Sequence, residues 1–278
     1  MRCGNHDKML NVNLTLEEQV LYKRNYREVL MVGQGAFANV YRAWDEQKRR
    51  FVACKVSTQG KLLQRESEVL KRIRHPLFAG YYDYFEEGEW AVLVMEYVAG
   101  ATLAELLQRR GSMSEAQAFR IGRELAEGLR FLHESHPPVI FRDLKPENII
   151  IREDGSIKLI DLGCVADVGE RTIAGSKGYA APEQMLGNMP CGPYTDVYGW
   201  GKTLQQVRKK HRREWRELLE QCVRFEIEER IPDMRYVLYS LSILDGQNHK
   251  MRRFMKFLKN ISTRDLDNYC YLKNICLF

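Results

Sequence analysis

The 278-residue chain has no two cysteines separated by a two-residue gap. Its seven cysteines, at positions 3, 54, 164, 191, 222, 270 and 276, are odd in number and irregularly spaced. That excludes a zinc knuckle or a Cys-x-x-Cys redox pair and points to scattered free thiols in a reducing compartment. Long apolar runs are also missing: the longest, such as Ala91 to Met95 and Ile149 to Ile151, fall far short of a membrane span. Met1 to Leu14 lacks the apolar stretch of a secretory signal. Ile275 stands where prenylation would need a cysteine. These absences predict a cytoplasmic protein. There is no internal repeat, no low-complexity tract and no basic-aromatic module, so no nucleic-acid partner is expected. The net charge of +6 is only mildly basic, and 45% hydrophobic with 29% charged residues is ordinary for a folded chain. The length suits about two structural units.

What is present changes character along the chain. Tyr26 to Met31 reads as strand, followed by a glycine-rich turn and then strand again over Asn39 to Trp44. Phe51 to Val56 is a third β-prone run. Over Lys61 to Arg74, Leu62, Leu63, Val69, Leu70 and Ile73 recur near helical spacing. His75-Pro76 ends that helix, because proline disfavours helix in the residue before it. Tyr81 to Phe85 and Trp90 to Glu96 form a hairpin around Glu86 to Glu89. After Val98-Ala99-Gly100 the pattern turns helical, over Thr102 to Arg110 and Ser114 to His133, where Ser114 with Gln117 makes a capped start. A β-rich patch covers Val139 to Leu162, and helices resume from Thr195.

Several residues suggest chemistry. Gly33 and Gly35, one residue apart between strands, let backbone N–H groups approach a phosphate. Alone, such a pair is more often a tight hairpin turn. Lys55 lies among apolar strand residues and needs a counter-charge, which Glu66 on the next helix can supply. Phe141-Arg142-Asp143-Leu144-Lys145-Pro146-Glu147-Asn148 is a polar block between two apolar runs, and Asp161-Leu162-Gly163 follows Asn148 by thirteen residues. Asn and Asp provide oxygen ligands suited to Mg²⁺. A second Asp can accept a proton from an attacking hydroxyl, and a lysine can offset charge on a transferring phosphoryl group.

In this order and spacing, the motifs over Tyr26 to Leu244 resemble the eukaryotic-type protein serine/threonine kinases, with Gly178 to Gln184 similar to bacterial members. The resemblance implies an α+β bilobal fold, with a small antiparallel-sheet N-lobe and a mainly helical C-lobe. The expected divisions are an N-terminal extension over 1–25, an N-lobe over 26–97, a C-lobe over 98–245 and a tail over 246–278. It implies ATP and Mg²⁺ as cofactors, and a protein substrate bearing a Ser or Thr hydroxyl, including a second copy of the chain in trans. Gly33, Gly35, Ala38 and Val40 would cover the ATP phosphates, with Val40 and Ala53 sandwiching adenine. Met95 would be the gatekeeper, and Glu96 to Val98 the hinge. Lys55 would hold the α- and β-phosphates and pair with Glu66. Asp143 would be the base, and Lys145 would touch the γ-phosphate. Asn148 and Asp161 would hold Mg²⁺. Glu183 would pair with Arg230, and Asp196 would brace the catalytic loop. Arg142 suggests control by phosphate on the activation loop, at Thr172 first and Ser176 second, although Ser176 also resembles the residue that contacts the catalytic Asp and Lys. The alternative is a loop ordered without phosphate.

The sequence departs from the family pattern in places. Ala38 replaces the third loop glycine, Phe141 the histidine before Arg-Asp, and Leu162 the phenylalanine beside the metal-binding Asp. None removes a catalytic group. Only 34 residues separate Asp196 from Arg230, a deficit where a substrate-docking helix normally stands. The basic run Arg208 to Arg213 occupies that region and reads either as a solvated helix end or as a surface for an acidic partner. In the tail, Met251, Phe254, Met255, Leu258 and Ile261 share one helical stripe opposite basic residues. Such a helix packs on its own domain, or on a membrane surface or partner groove. A kinase-fold scaffold with little phosphotransfer and a small-molecule kinase are the competing functional readings.

Overall fold

The computed structural model describes residues 14–208 and 212–245. Their contacts divide the chain into two compact units. One spans Met1–Arg72 with Ala79–Val98, and the other spans Ile73–Phe78 with Ala99–Phe278.

The first unit is a five-stranded antiparallel sheet with one helix on each face. Its strands are β1 (Tyr26–Gln34), β2 (Asn39–Asp45), β3 (Arg50–Ser57), β4 (Tyr81–Glu87) and β5 (Trp90–Glu96), in the order β1-β2-β3-β5-β4. Val40 pairs with Lys55 and Lys55 with Leu93, while Ala53 pairs with Met95. Cross-strand partners share a face, and neighbours along a strand alternate. Val40, Ala53, Lys55, Leu93 and Met95 therefore lie on one face. Helix α2 (Gly60–Arg72) covers that face through Leu63, Glu66, Val69 and Leu70.

The opposite face carries Tyr41, Ala43, Val52, Cys54, Val56, Val92 and Val94, which form one core with Val20, Leu21 and Tyr26. Val20 and Leu21 belong to a helix that the sequence pattern did not predict, α1 (Leu16–Lys23). Its start is fixed by a reciprocal capping box between Thr15 and Glu18. Burying two aliphatic side chains contributes roughly 1.5–3 kcal/mol each, enough to hold an eight-residue helix that would be marginal alone.

The second unit is mainly helical. It contains α3 (Leu103–Arg110), α4 (Glu115–Glu134), α5 (Pro182–Leu186), α6 (Pro193–Val207), α7 (Arg213–Cys222) and α8 (Met234–Leu244). Helix α4 begins at the expected Ser114–Gln117 capping box. It buries one stripe through Ala118, Ile121, Leu125, Leu129 and Leu132. Helix α6 is buried on nearly every side, so it forms the centre of this unit. Its Trp200 Nε1 donates to Gly122 O of α4 at 2.8 Å, and its Thr203 hydroxyl donates to Leu144 O at 2.9 Å. Glycine at 201 permits the approach of α7: a Cβ there would lie 2.8 Å from the Cβ of Cys222.

Short strands frame the polar loops. β6 (Ala101–Thr102), β8 (Ile149–Ile151) and β9 (Ile157–Leu159) form one small sheet, and β7 (Val139–Ile140) pairs with β10 (Ala166–Asp167). Residues 208–212 connect helix α6 to helix α7 in the sequence. Of the basic run, Arg208 and Arg212 both pair with Glu115, at 3.8 and 3.0 Å, and Arg213 pairs with Glu217. Lys209 to His211 and the tail stripe lie outside the described residues. Among the described residues, no helix is long and apolar enough to cross a membrane.

Candidate functional site

In the sheet unit, Gly35 to Ala38 form the turn between β1, which ends in Gly33-Gln34, and β2. The turn closes with Gly35 N–H donating to Ala38 O at 2.9 Å. A Cβ at Gly35 would come within 3.2 Å of that same carbonyl, so the turn itself favours glycine there. Gly33 is different. A Cβ there would make only ordinary contact with Val40, at 3.6 Å, and its φ is not in the left-handed region. The fold does not require glycine at 33. The loop tip is also tethered: the Ser57 hydroxyl donates to Phe37 O at 2.5 Å.

On the same face as Val40, Lys55 Nζ lies 2.7 Å from Glu66 Oε2, with Glu66 almost fully buried. A buried cation needs such a partner. Ala53, Met95 and Val98 are buried near one end of this face. Glu96 holds the chain turn at Gly80, whose N–H donates to its carboxylate at 3.1 Å.

In the helical unit, the loop from Phe141 to Asn148 is held from below by one carboxylate. Asp196, on the first turn of α6, accepts from Phe141 N–H at 2.8 Å and from Arg142 N–H at 2.7 Å. Its Oδ2 is also hydrogen-bonded to His133 Nε2 at 2.8 Å. His133 was missed in the sequence reading. The signal was its register, since it falls four residues after Leu129 on the buried stripe of α4.

Above that brace, four polar side chains converge. Lys145 Nζ donates to Asp143 Oδ2 at 2.8 Å and to the Ser176 hydroxyl at 2.6 Å. Asn148 Nδ2 donates to Asp143 O at 2.9 Å and to Asp143 Oδ2 at 3.2 Å. Burial opposes the charge on Lys145, but its contact with Asp143, joined by the nearby Asp161, outweighs this and raises its pKa above the usual lysine value. The other oxygen of Asp143, Oδ1, is buried and has no partner among the described residues. Leaving a buried carboxylate oxygen unpaired is costly, so the arrangement favours a donor brought from outside. Asp161 adopts left-handed backbone, with φ at 72°. Its Oδ1 accepts from Gly163 N–H at 3.0 Å.

Arg142 is buried and also left-handed, with φ at 69°. Its Nε donates to Cys164 O at 2.6 Å, and its Nη1 donates to the Thr172 hydroxyl at 2.5 Å. That hydroxyl in turn donates to Glu170 Oε1 at 3.0 Å. Gln184, also missed in the sequence reading, donates to the carbonyls of Arg142 and Ala174 and so ties the two segments together. Glu183 and Arg230 form a two-pronged ion pair at 2.7 and 3.0 Å, with both side chains fully buried.

The oxygens fit a hard divalent cation. Asn148 uses its amide nitrogen internally, which leaves its carbonyl oxygen for a ligand, and Asp161 adds a carboxylate. Among the described residues, no cluster of three or more His, Cys, Asp or Glu forms a metal cage. Mg²⁺ commonly takes one or two protein oxygens and completes its shell with phosphate and water.

A sheet unit with a lysine–glutamate pair under a glycine turn, and a helical unit with an Asp-Lys-Asn cluster braced by α6, define the class. The sequence pattern of the protein kinase domain matches residues 26–266, and the chain belongs to the protein kinase family. It is 31% identical over 214 residues to a "probable serine/threonine-protein kinase KIN1 homolog" of Enterocytozoon bieneusi, covering 69% of this chain and 36% of that protein. The carbon catabolite-derepressing protein kinase of Saccharomyces cerevisiae is 31% identical over 193 residues, 65% of this chain and 30% of that protein. A "probable serine/threonine-protein kinase" of Clostridium acetobutylicum is 33% identical over 190 residues, 63% of this chain and 28% of that protein. The chain thus spans about a third of the length of these curated relatives.

Proposed function

We propose that the protein is an ATP- and Mg²⁺-dependent protein serine/threonine kinase that transfers the γ-phosphoryl group to a Ser or Thr hydroxyl. The observation that carries this reading is Asp143, whose Oδ2 is held by Lys145 and Asn148 while its buried Oδ1 has no partner among the described residues. A substrate hydroxyl donating to Oδ1 would satisfy it and be oriented for attack. As the hydroxyl oxygen bonds to phosphorus, its proton passes to Asp143 and the bond to the departing diphosphate breaks. Lys145 offsets charge on the transferring group, and Ser176 helps to fix the lysine. Lys55, held by Glu66, would bind the α- and β-phosphates. Gly33, Gly35, Ala38 and Val40 would form the phosphate cover. That the fold does not require glycine at 33 supports a demand from a ligand there. Ala53, Met95, Glu96 and Val98 would line the adenine end. Asn148 and Asp161 would hold Mg²⁺, which when bound neutralises phosphate charge. Glu183, Arg230 and Asp196 are framework residues.

Thr172 is the better candidate for regulatory phosphate, because its hydroxyl already meets Arg142 while Ser176 is engaged by Lys145. Glu170 beside Thr172 would be repelled by a phosphate, so modification would rearrange this segment. A cytoplasmic setting suits the free thiols of Cys54, Cys164, Cys191 and Cys222. The acceptor class is tested by offering labelled ATP with Ser, Thr and Tyr peptides and with small-molecule alcohols. Label on Ser or Thr peptides alone is expected. Label on small alcohols, or bound ATP with no transfer to any acceptor, would overturn the reading in favour of the small-molecule or the scaffold alternative.

A further inference from the structure

We propose that Glu17 on α1 is a positioning residue that locks the exit strand of the glycine loop in the geometry that binds ATP. The inference rests on the nucleotide-site reading above. Both Glu17 oxygens accept from Asn39 Nδ2, at 2.9 and 3.1 Å, and Oε2 also accepts from the Tyr41 hydroxyl. Asn39 and Tyr41 are the first and third residues of β2, so both point to the face beneath α1. Val40 lies between them and points to the opposite face. It pairs with Gly33 across β1 and with Lys55 across β3. Glu17 therefore grips the two residues that flank the one joining the glycine loop to the lysine strand.

The grip is itself anchored. Val20 and Leu21 are buried in the sheet core, and Glu17 sits in the first turn, between the two residues of the Thr15–Glu18 capping box. Tyr41 is fully buried, so its hydroxyl needs a partner, and Glu17 supplies it. A helix serving only to cover the sheet would do so with an apolar residue at this half-buried position. A carboxylate bonded to two residues of the loop's exit strand sets the position of that strand as well as its burial.

The test measures the ATP dissociation constant calorimetrically with Mg²⁺, together with KM, kcat and melting temperature. The variants are Glu17→Ala, Glu17→Gln, Tyr41→Phe, Lys55→Met and Val20→Ala, the last removing packing without touching Glu17. Losing these hydrogen bonds is expected to weaken ATP binding ~5–10-fold and raise KM alike, with kcat within ~2-fold. Glu17→Gln should fall between, since its amide offers one acceptor oxygen in place of two. Val20→Ala should lower the melting temperature and leave ATP affinity unchanged. If Glu17→Ala and Val20→Ala lower the melting temperature alike and neither moves ATP affinity, the positioning role is refuted. If Val20→Ala weakens ATP as much as Glu17→Ala, the effect is general stability and the proposal also fails. Wild type whose ATP affinity is insensitive to Lys55→Met would instead remove the nucleotide reading, and this proposal with it.

Discussion

Arg230 provides the sharpest energetic prediction. A guanidinium carries five N–H donors, and five hydrogen bonds leave this one. Nε donates to Arg224 O at 3.0 Å. Nη1 donates to Glu183 Oε1 at 2.7 Å and Tyr194 O at 3.1 Å. Nη2 donates to Glu183 Oε2 at 3.0 Å and Phe225 O at 3.2 Å. The Glu183–Arg230 pair is fully buried, so Arg230→Met strands a carboxylate in the interior, where the Thr195 hydroxyl still donates to it. Breaking one side of a buried pair costs about 3–5 kcal/mol, against a total stability of roughly 5–15 kcal/mol. The melting temperature should therefore fall by roughly 5–10 °C. Arg230→Lys should recover less than half, because a point charge cannot reproduce the planar fork. Urea unfolding followed by fluorescence of Trp200 and Trp215, both buried in the same unit, reads this directly. The exposed Arg213, paired with half-buried Glu217, serves as control, with Arg213→Ala costing at most ~0.5 kcal/mol. An Arg230→Met protein within ~1 kcal/mol of wild type would refute the reasoning, as would an additive Glu183→Gln/Arg230→Met double variant.

Three further outcomes are expected. Gly201→Ala should lose ~1–2 kcal/mol in urea unfolding despite the gain in helix propensity, because the new Cβ meets the Cβ of Cys222, which cannot swing away. Burial lowers the pKa of His75, with Glu127 opposing. The unfolded chain therefore takes up the proton first, and this contribution to stability is present above about pH 6.5 and lost as the pH falls through the folded-state value. His75→Asn, which can still accept from Leu77 N–H, should show a shallower loss of stability from neutral to acidic pH than wild type. Burial, with Asp143 and Asp161 nearby, pushes the Cys164 thiol up to about 11, and burial raises Cys54 and Cys222 further. Mass spectrometry after iodoacetamide at neutral pH should find all three unmodified in the native protein, and rapid labelling of Cys164 would contradict this.

The sequence made most of the sheet legible because its strands carry short apolar, β-prone runs set off by turn residues. It made α4 legible because a capping box precedes four turns of apolar stripe. It left α1 unread because an eight-residue helix with two buried aliphatics has too little periodicity to stand out, and tertiary contact with the sheet stabilises it. β6, β7 and β10 hold two residues each, too few for any alternation. Within the site, the order of Asp143, Lys145, Asn148 and Asp161 was readable as chemistry. The supporting bonds were not, because His133, Gln184 and Glu17 act through partners 63, 42 and 22–24 positions away. The basic run illustrates the same limit. Arg208 and Arg212 look like free surface charge until folding brings Glu115 beside them.

The central claim is that Asp143 accepts the proton of a Ser or Thr hydroxyl during transfer from ATP. The most direct test measures transfer of labelled γ-phosphate to a Ser/Thr acceptor by wild type and Asp143→Asn at saturating ATP, with ATP affinity measured alongside. An amide keeps the shape but not the basicity, so kcat should fall by about 10²–10⁴-fold while ATP affinity stays near wild type. An Asp143→Asn enzyme that retained wild-type kcat on the same acceptor would contradict the account.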